Sequence, residues 1–599
     1  MSQSGHNEQT LAEGRDAATG GQPQRLAVHV EELVSVLSCR GDSFIQHSRS
    51  SLFYAFFHYV AGNTLAFLTT LVVAPASILF DPLSTIATLI SYPGIYTILF
   101  VAIFGLYLAS SMGGSALINY ISRKYADGYS AVNWASPALI NSAQSANTIR
   151  SARATLGGLK TTFPDAVAPG ALPSSPPKTN RIFDLDVAKA CLSMCALVYE
   201  RDDKLVEKAV AKAARGDVQG AEVLLLDSET TIREQAAKWD LNYEGISDLS
   251  STSGPFASAF YTQSGEEKPF IVLVFKGTTP SNYAEFLTNA TITRINATSW
   301  FGDGTVHEGF ATSLFPMFDE RTDGFGQILF QLKHIAETLS PDPESSPVPL
   351  FVTGHSLGSA LASLLYTRLL RVPCDLGKGI VLRDCYLYGT PRLGDAQFAA
   401  KFEESTITPI NRPNIMWRVK NNRDIVTRIP AGFAHPQAAG MVGTSTSVLN
   451  YAHIGVEIYL RPHKAPYYEA DTTQLHHATR VVIVKDGSQH PPMSSRLVAY
   501  NSSYTNALRW ALCFLLPDFA WDHLPASYAQ VSRTEARLTE TCQILGFLIT
   551  FTGTLSQHLD QITATGVGGS ARGKRQEALT VGAAARPNAA GPLASSSRG

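Results

Sequence analysis

Ser356 stands between two glycines in Gly354-His355-Ser356-Leu357-Gly358, where the strand-like run "VPLFVTG" gives way to the helix-like run "SALASLLYTRLL". A serine hydroxyl is a weak nucleophile until a histidine takes its proton, and that histidine needs a carboxylate to fix its tautomer and orientation. The pentad fits G-x-S-x-G, the sharp strand-to-helix turn that lifts a serine above a sheet, and the chemistry it implies is acyl transfer. The backbone N–H of the next residue, Leu357, is then one candidate donor to an oxyanion. In this pattern the acid and the histidine follow the serine along the chain.

Downstream, "IMWRVKNNRDIVTRIP" places Asp424 just after a short apolar strand, at the carboxyl end where α/β sheets carry their chemistry. Asp384, Asp395, Asp518 and Asp522 are rival acids, and Asp395 reads as a turn residue in "YGTPRLGDAQF". Two histidines compete for the base, His453 in "NYAHIGVEIYL" and His523 in "FAWDHLPASY", and spacing does not choose between them. His463, His476, His477 and His490 lie in polar, loop-like sequence.

Positioning these groups requires a sheet. "PFIVLVFKG" and "VPLFVTG" read as buried strands, while "DLDVAKACLSMCALVYE" and "TIREQAAKWDL" have helical spacing. Alternating strands and helices indicate an α/β domain on a mostly parallel sheet. Its expected extent is 181–558, preceded by a polar segment 1–50, an apolar stretch 51–122 and an Ala/Ser/Pro-rich linker 123–180, and followed by a disordered tail 559–599.

The apolar stretch is unusual. Between Arg49 and Arg123 there is no Lys or Arg and one acid, Asp81, which leaves room for two spans, roughly Phe57 to Leu79 and Thr88 to Ser110. Arg40 and Arg49 precede the pair and Arg123 and Lys124 follow it, so both ends are expected in the cytoplasm. The whole chain, at 45% hydrophobic and 16% charged residues, suits a membrane-attached protein, and a net charge of −2 offers nothing for nucleic acid. Seven scattered cysteines include no C-x-x-C pair, and no metal or cofactor is expected. Cys191 and Cys195 read as small core residues of one helix.

The blocks "FIVLVFKGTTPSNYAEFL", "VHEGF", "GHSLGSALASLL", "YLYGTPRLGDAQF", "WRVKNNRDIVTRIP", "YAHIGVEIYL" and "DHLPASY" follow one another as in the class 3 lipases, which the region from Arg181 to Tyr528 resembles. The resemblance implies an α/β-hydrolase fold. It places the acid on Asp424, the base on His523 rather than His453, and a second oxyanion donor on Thr278. "NYAEFL" departs from the family in lacking an Asp three positions after its aromatic residue. The resemblance also implies a lid between Thr279 and Val306, for which Ile292, Ile295, Trp300 and Phe301 would supply an apolar face.

Together these readings predict a membrane-anchored serine lipase with two spans and a cytosolic catalytic domain on an endomembrane, cleaving di- or triacylglycerol at a lipid surface. A phospholipase remains an alternative. So does a lumenal esterase, which the sequons at Asn289, Asn296 and Asn501 would suit, and so does a membrane scaffold that keeps the fold without catalysis.

Overall fold

In the computed structural model the described residues are 137–158, 179–247, 256–278, 294–315, 324–340, 345–407, 415–430, 450–461, 468–471, 479–484 and 518–532, with isolated residues between these segments. All lie in the unit Met1–Ala536; the second unit, Arg537–Gly599, is outside them.

The centre is an eight-stranded sheet of β2 (Asn242–Ser247), β3 (Phe256–Tyr261), β4 (Ile271–Lys276), β7 (Val348–His355), β8 (Ile380–Tyr388), β9 (Met416–Asn421), β10 (Val456–Leu460) and β11 (Tyr468–Asp471). Its order is β11-β10-β9-β8-β7-β4-β3-β2. The run from β4 through β7, β8 and β9 to β10 is parallel, and antiparallel strands close both edges. The remaining strands pair off: β1 (Thr179–Asp184) with β12 (Thr479–Val484), and β5 (Arg294–Asn296) with β6 (Thr305–His307).

Alternation along β4 shows why the central strands read as continuous apolar runs. Ile271, Leu273 and Phe275 point into one hydrophobic cluster and Val272 and Val274 into another, so both faces are covered. On the first face pack the helices Glu308–Leu314, Gly324–Leu339 and Leu357–Arg371. The second face carries α1 (Ala143–Leu156), α2 (Leu185–Leu197) and the helix Thr230–Lys238. Cys191 and Cys195 of α2 are buried there.

Part of the segment expected as a linker is instead folded onto this domain. Ser142 caps α1 in a capping box with Ser145, and Ile149, Ala152 and Leu156 are buried in the second cluster. The Ala/Ser-rich composition conceals an amphipathic repeat too weakly apolar to stand out from a linker. Just upstream, the buried Glu200 carboxylate accepts from Ser130 N (2.9 and 3.1 Å), Ser130 Oγ (2.8 Å) and Asn133 Nδ2 (2.6 Å). Burial raises its pKa against the pull of these donors. Glu200→Ala should orphan them and cost about 1–3 kcal/mol; an unchanged thermal midpoint would refute this latch.

The expected hairpin falls almost wholly outside the described residues, of which Ala61, Thr64 and Leu68 are helical and exposed. Among the described residues, no helix is long and apolar enough to cross a membrane. The apolar face assigned to a lid needs correction. Phe301 is buried in the core, and Trp300 packs on Phe315 and Phe325 at 4.5 and 5.7 Å between ring centroids, with Ile295 against the same cluster. These side chains pack on one another and on the core, a placement that an apolar pattern alone does not distinguish from the inner face of a flap. Ile292 and positions 279–293 lie outside the described residues.

Candidate active site

The sequence-predicted groups converge on the carboxyl ends of four neighbouring parallel strands. β7 ends at His355 and the helix Leu357–Arg371 begins two residues later, with Ser356 between them at φ 59°, ψ −130°. That backbone conformation is strained for a residue with a Cβ and characterises a nucleophile elbow. Both flanking glycines are required by close approach: a Cβ on Gly354 would lie 2.4 Å from the Gly358 carbonyl oxygen, and one on Gly358 would strike the Phe275 carbonyl of β4. Ser356 N–H donates to Tyr388 O of β8 at 2.9 Å, which holds the elbow beside that strand.

Next to it, β4 delivers Gly277 and Thr278. A Cβ on Gly277 would lie 3.2 Å from Ser356 Cβ, so the proposed oxyanion block and the elbow are immediate neighbours. The block is fixed from behind, because Lys276 is almost fully buried and pairs with Asp203 at 2.8 Å. Leu357 opens its helix, where backbone N–H groups have no intrahelical partner.

From β9 the chain turns to Asp424, whose side chain is fully buried. Its Oδ1 accepts from Val426 N at 2.8 Å, its Oδ2 accepts from the Tyr528 hydroxyl, and both oxygens lie 3.0 Å from His523 Nδ1. Burial alone would raise this carboxyl; the His523 imidazole, its hydrogen bond and those from Tyr528 and Val426 outweigh burial and hold the pKa below the ordinary 3.8.

His523 sits on the turn between the short helices Asp518–Trp521 and Pro525–Ser532, and that turn is clasped to the end of β9. Asn421 Nδ2 donates to Asp522 O (2.9 Å) and Ser527 Oγ (2.8 Å), while Asp522 Oδ2 accepts from Asn422 Nδ2 (2.9 Å) and Arg423 N (3.1 Å). Asp424 and His523, the candidate acid and base, therefore come from segments 99 positions apart that are stitched together beside the site. Gly389, at φ 63°, closes the floor: a Cβ there would lie 2.8 Å from His523 Cε1 and 2.9 Å from Asp424 Oδ2.

The other candidates lie elsewhere. His453 is buried behind the acid loop with Nε2 2.9 Å from Thr427 O, and burial, with Arg418 and Arg392, pushes its pKa well down. Asp384 accepts from Ile415 N and Trp417 Nε1 (3.0 and 3.1 Å), and Asp395 from Thr305 and Phe398, both as structural acceptors. Asp522 serves the clasp. His463, His476, His477 and His490, and the side chain of Asp518, lie outside the described residues. Sequence reasoning missed Tyr528, although it closes the "DHLPASY" block. Arg392 was also missed; its N–H donates to Ile429 O (2.9 Å) and its Nη1 to Pro430 O (2.8 Å), bracing the acid loop from the "GTPRLGD" segment.

Residues 272–433 match the family model for class 3 lipases. The matched stretch contains Thr278, Ser356, Leu357 and Asp424 and ends before His523. Among curated proteins, the chain is 26% identical over 234 residues to a chloroplastic/mitochondrial phospholipase A1 of Oryza sativa subsp. indica, covering 38% of this chain and 50% of the relative. It is 29% identical over 168 residues to the chloroplastic phospholipase A1-Igamma2 of Arabidopsis thaliana, covering 27% and 30%. The chain thus spans half or less of the length of these relatives. Lipase II from Rhizopus niveus is similar at 20% identity and a TM-score of 0.28, over 48% of this chain and 84% of that one.

One pH effect follows directly. Burial, reinforced by the nearby His523, lowers the pKa of His355 from 6.5 to about 3. The unfolded chain therefore binds a proton that the fold excludes, and stability should fall as pH drops from about 6.5 toward about 3, by at most about 1.4 kcal/mol per unit from this group. Asp424 adds a loss at the lower end: its contribution is complete above its ordinary value and disappears as pH falls through its depressed folded value. Chemical denaturation at pH 7, 5 and 4 should show this slope, and His355→Gln should make it shallower, with the buried His453 keeping a slope of the same sign; an equal slope in both chains would refute the assignment.

Proposed function

We propose that the chain is a membrane-anchored serine hydrolase that cleaves carboxylic ester bonds of glycerolipids. Ser356 Oγ attacks the ester carbonyl while His523 takes its proton, and the N–H groups of Leu357 and Thr278 hold the oxyanion. Asp424 keeps His523 in the tautomer whose Nε2 can act as base and steadies the imidazolium that forms. The proton then passes to the leaving alcohol, and water activated by His523 releases the fatty acid from the acyl-enzyme. The observation that carries this reading is the His523–Asp424 pair at 3.0 Å beside a serine held at φ 59°.

Di- or triacylglycerol is the proposed substrate, and a two-span hairpin within 51–122 keeps the catalytic domain on the cytosolic face of an endomembrane. Support for the hairpin lies in the absence of Lys and Arg between Arg49 and Arg123. Phospholipid is the second reading, favoured by the phospholipase A1 names of the relatives.

Fatty-acid release by purified full-length protein from bilayers containing diacylglycerol, triacylglycerol or phosphatidylcholine decides between them. Faster release from the neutral lipids is expected, faster release from phosphatidylcholine would select the phospholipase, and no release from any would refute the enzyme. A chain beginning at residue 125, which keeps the Ser130 and Asn133 latch, should lose activity on bilayers but retain it on detergent-dispersed ester. Equal bilayer activity would sink the anchor.

A further inference from the structure

The histidine inside the serine pentad has no part in the chemistry above, yet it is buried directly against the base. His355 Nε2 lies 2.7 Å from the backbone carbonyl oxygen of His523, and His355 Nδ1 lies 3.0 Å from the Tyr199 hydroxyl. A carbonyl oxygen only accepts, so Nε2 must carry the proton. Burial keeps the ring neutral, with a pKa near 3, so Nδ1 is then an acceptor and the Tyr199 hydroxyl donates to it. One tautomer alone satisfies both contacts. The opposite one would set a nitrogen lone pair against the carbonyl, so the carbonyl selects the tautomer and the Tyr199 hydroxyl, able to donate or accept, donates to the lone pair left on Nδ1.

Packing fixes the same arrangement. The His355 ring lies between Tyr199, His523 and Tyr528, with centroid separations of 5.8, 4.7 and 6.1 Å. Tyr199 is itself buried on the one-turn helix Val198–Glu200, whose last residue is the Glu200 bonded to Ser130 and Asn133.

We propose that Tyr199 and His355 are positioning residues for His523, acting in series: the Tyr199 hydroxyl anchors the His355 ring at Nδ1, and His355 Nε2–H holds the His523 backbone carbonyl. His523 is then held twice, by Asp424 at the ring and by His355 at the main chain. The second hold defines where the ring starts from, and so where the imidazole stands as it takes up and returns the proton. Displacement of such a group by about 1 Å costs about 100-fold in rate. The inference rests on the proposed role of His523.

The test uses the full-length protein and one glycerolipid ester, with kcat and KM measured for Tyr199→Phe, His355→Leu, His355→Gln and His523→Ala, and folding followed by thermal melting and near-ultraviolet circular dichroism. Tyr199→Phe and His355→Leu are expected to lower kcat roughly 10- to 100-fold with KM within about twofold. His355→Gln, whose Nε2–H can reach the same carbonyl, is expected to recover most of that loss. Unchanged kcat in Tyr199→Phe, a change in KM alone, or a glutamine variant no better than leucine would overturn the proposal. Should His355→Leu fail to fold, Tyr199→Phe, which deletes one oxygen atom, decides alone. His523→Ala separates the two readings: if it keeps parental activity the base assignment has failed, whereas inactivity there beside an unaffected Tyr199→Phe refutes only the positioning role.

Discussion

Ser356→Ala is expected to lower glycerolipid ester hydrolysis by roughly 10⁶-fold in kcat, the scale on which removing the nucleophile disables a serine–histidine–acid unit. The variant loses one half-buried hydroxyl and keeps a Cβ at the same strained φ of 59°, so its fold and melting behaviour should match those of the parent. Substrate binding should also persist, because the N–H groups of Leu357 and Thr278 are backbone groups that the substitution leaves in place. The measurement is fatty-acid release at saturating substrate, with binding read separately from equilibrium association with the same lipid vesicles. Residual turnover above about one per cent of the parent would show that another group attacks the ester, and the role given to Ser356 would be lost.

Asp424→Asn carries the second largest effect, about 10⁴-fold in kcat, the scale of a wrong-tautomer defect. An amide can present an NH₂ group to His523 Nδ1, and the imidazole then places its proton on Nε2, where a base must have none. Geometry is otherwise nearly conserved, since an amide oxygen can still accept from Val426 N or from Tyr528, whose present bonds run to Oδ1 and Oδ2. The activity loss should therefore exceed any loss of thermal stability by a wide margin. A kcat within tenfold of the parent would remove Asp424 from the mechanism, and Asp522 would be the acid to examine next, because it lies beside His523 in the chain.

The sequence discloses this fold unevenly. β4 and β7 are legible because strands covered on both faces become unbroken apolar runs, and the elbow is legible because Gly354 and Gly358 stand where neighbouring carbonyls leave no room for a Cβ. Asp424 stands out as the acid after a strand. In the sequence only the resemblance chooses between His453 and His523: the structure sets His453 against Thr427 O and His523 against Asp424, a distinction made by tertiary contacts across 26 and 99 positions that local spacing does not record. Tyr199 and Tyr528 do not stand out in the sequence for the same reason. The helix Ala143–Leu156 reads as linker because alanine and serine dominate both kinds of segment, and Trp300 and Phe301 read as a lid face because an apolar stripe does not say what it faces.

The clasp between the end of β9 and the turn at Asp522 has a consequence for a chain still being made. At a synthesis rate of about 5–20 residues per second, the 99 positions from Asp424 to His523 take roughly 5–20 s to emerge. Through that interval Ser356 and the acid loop already exist, but the base and the residues that hold it do not. On the proposed mechanism the nascent polypeptide cannot hydrolyse lipid until the clasp docks His523, near the end of the catalytic region.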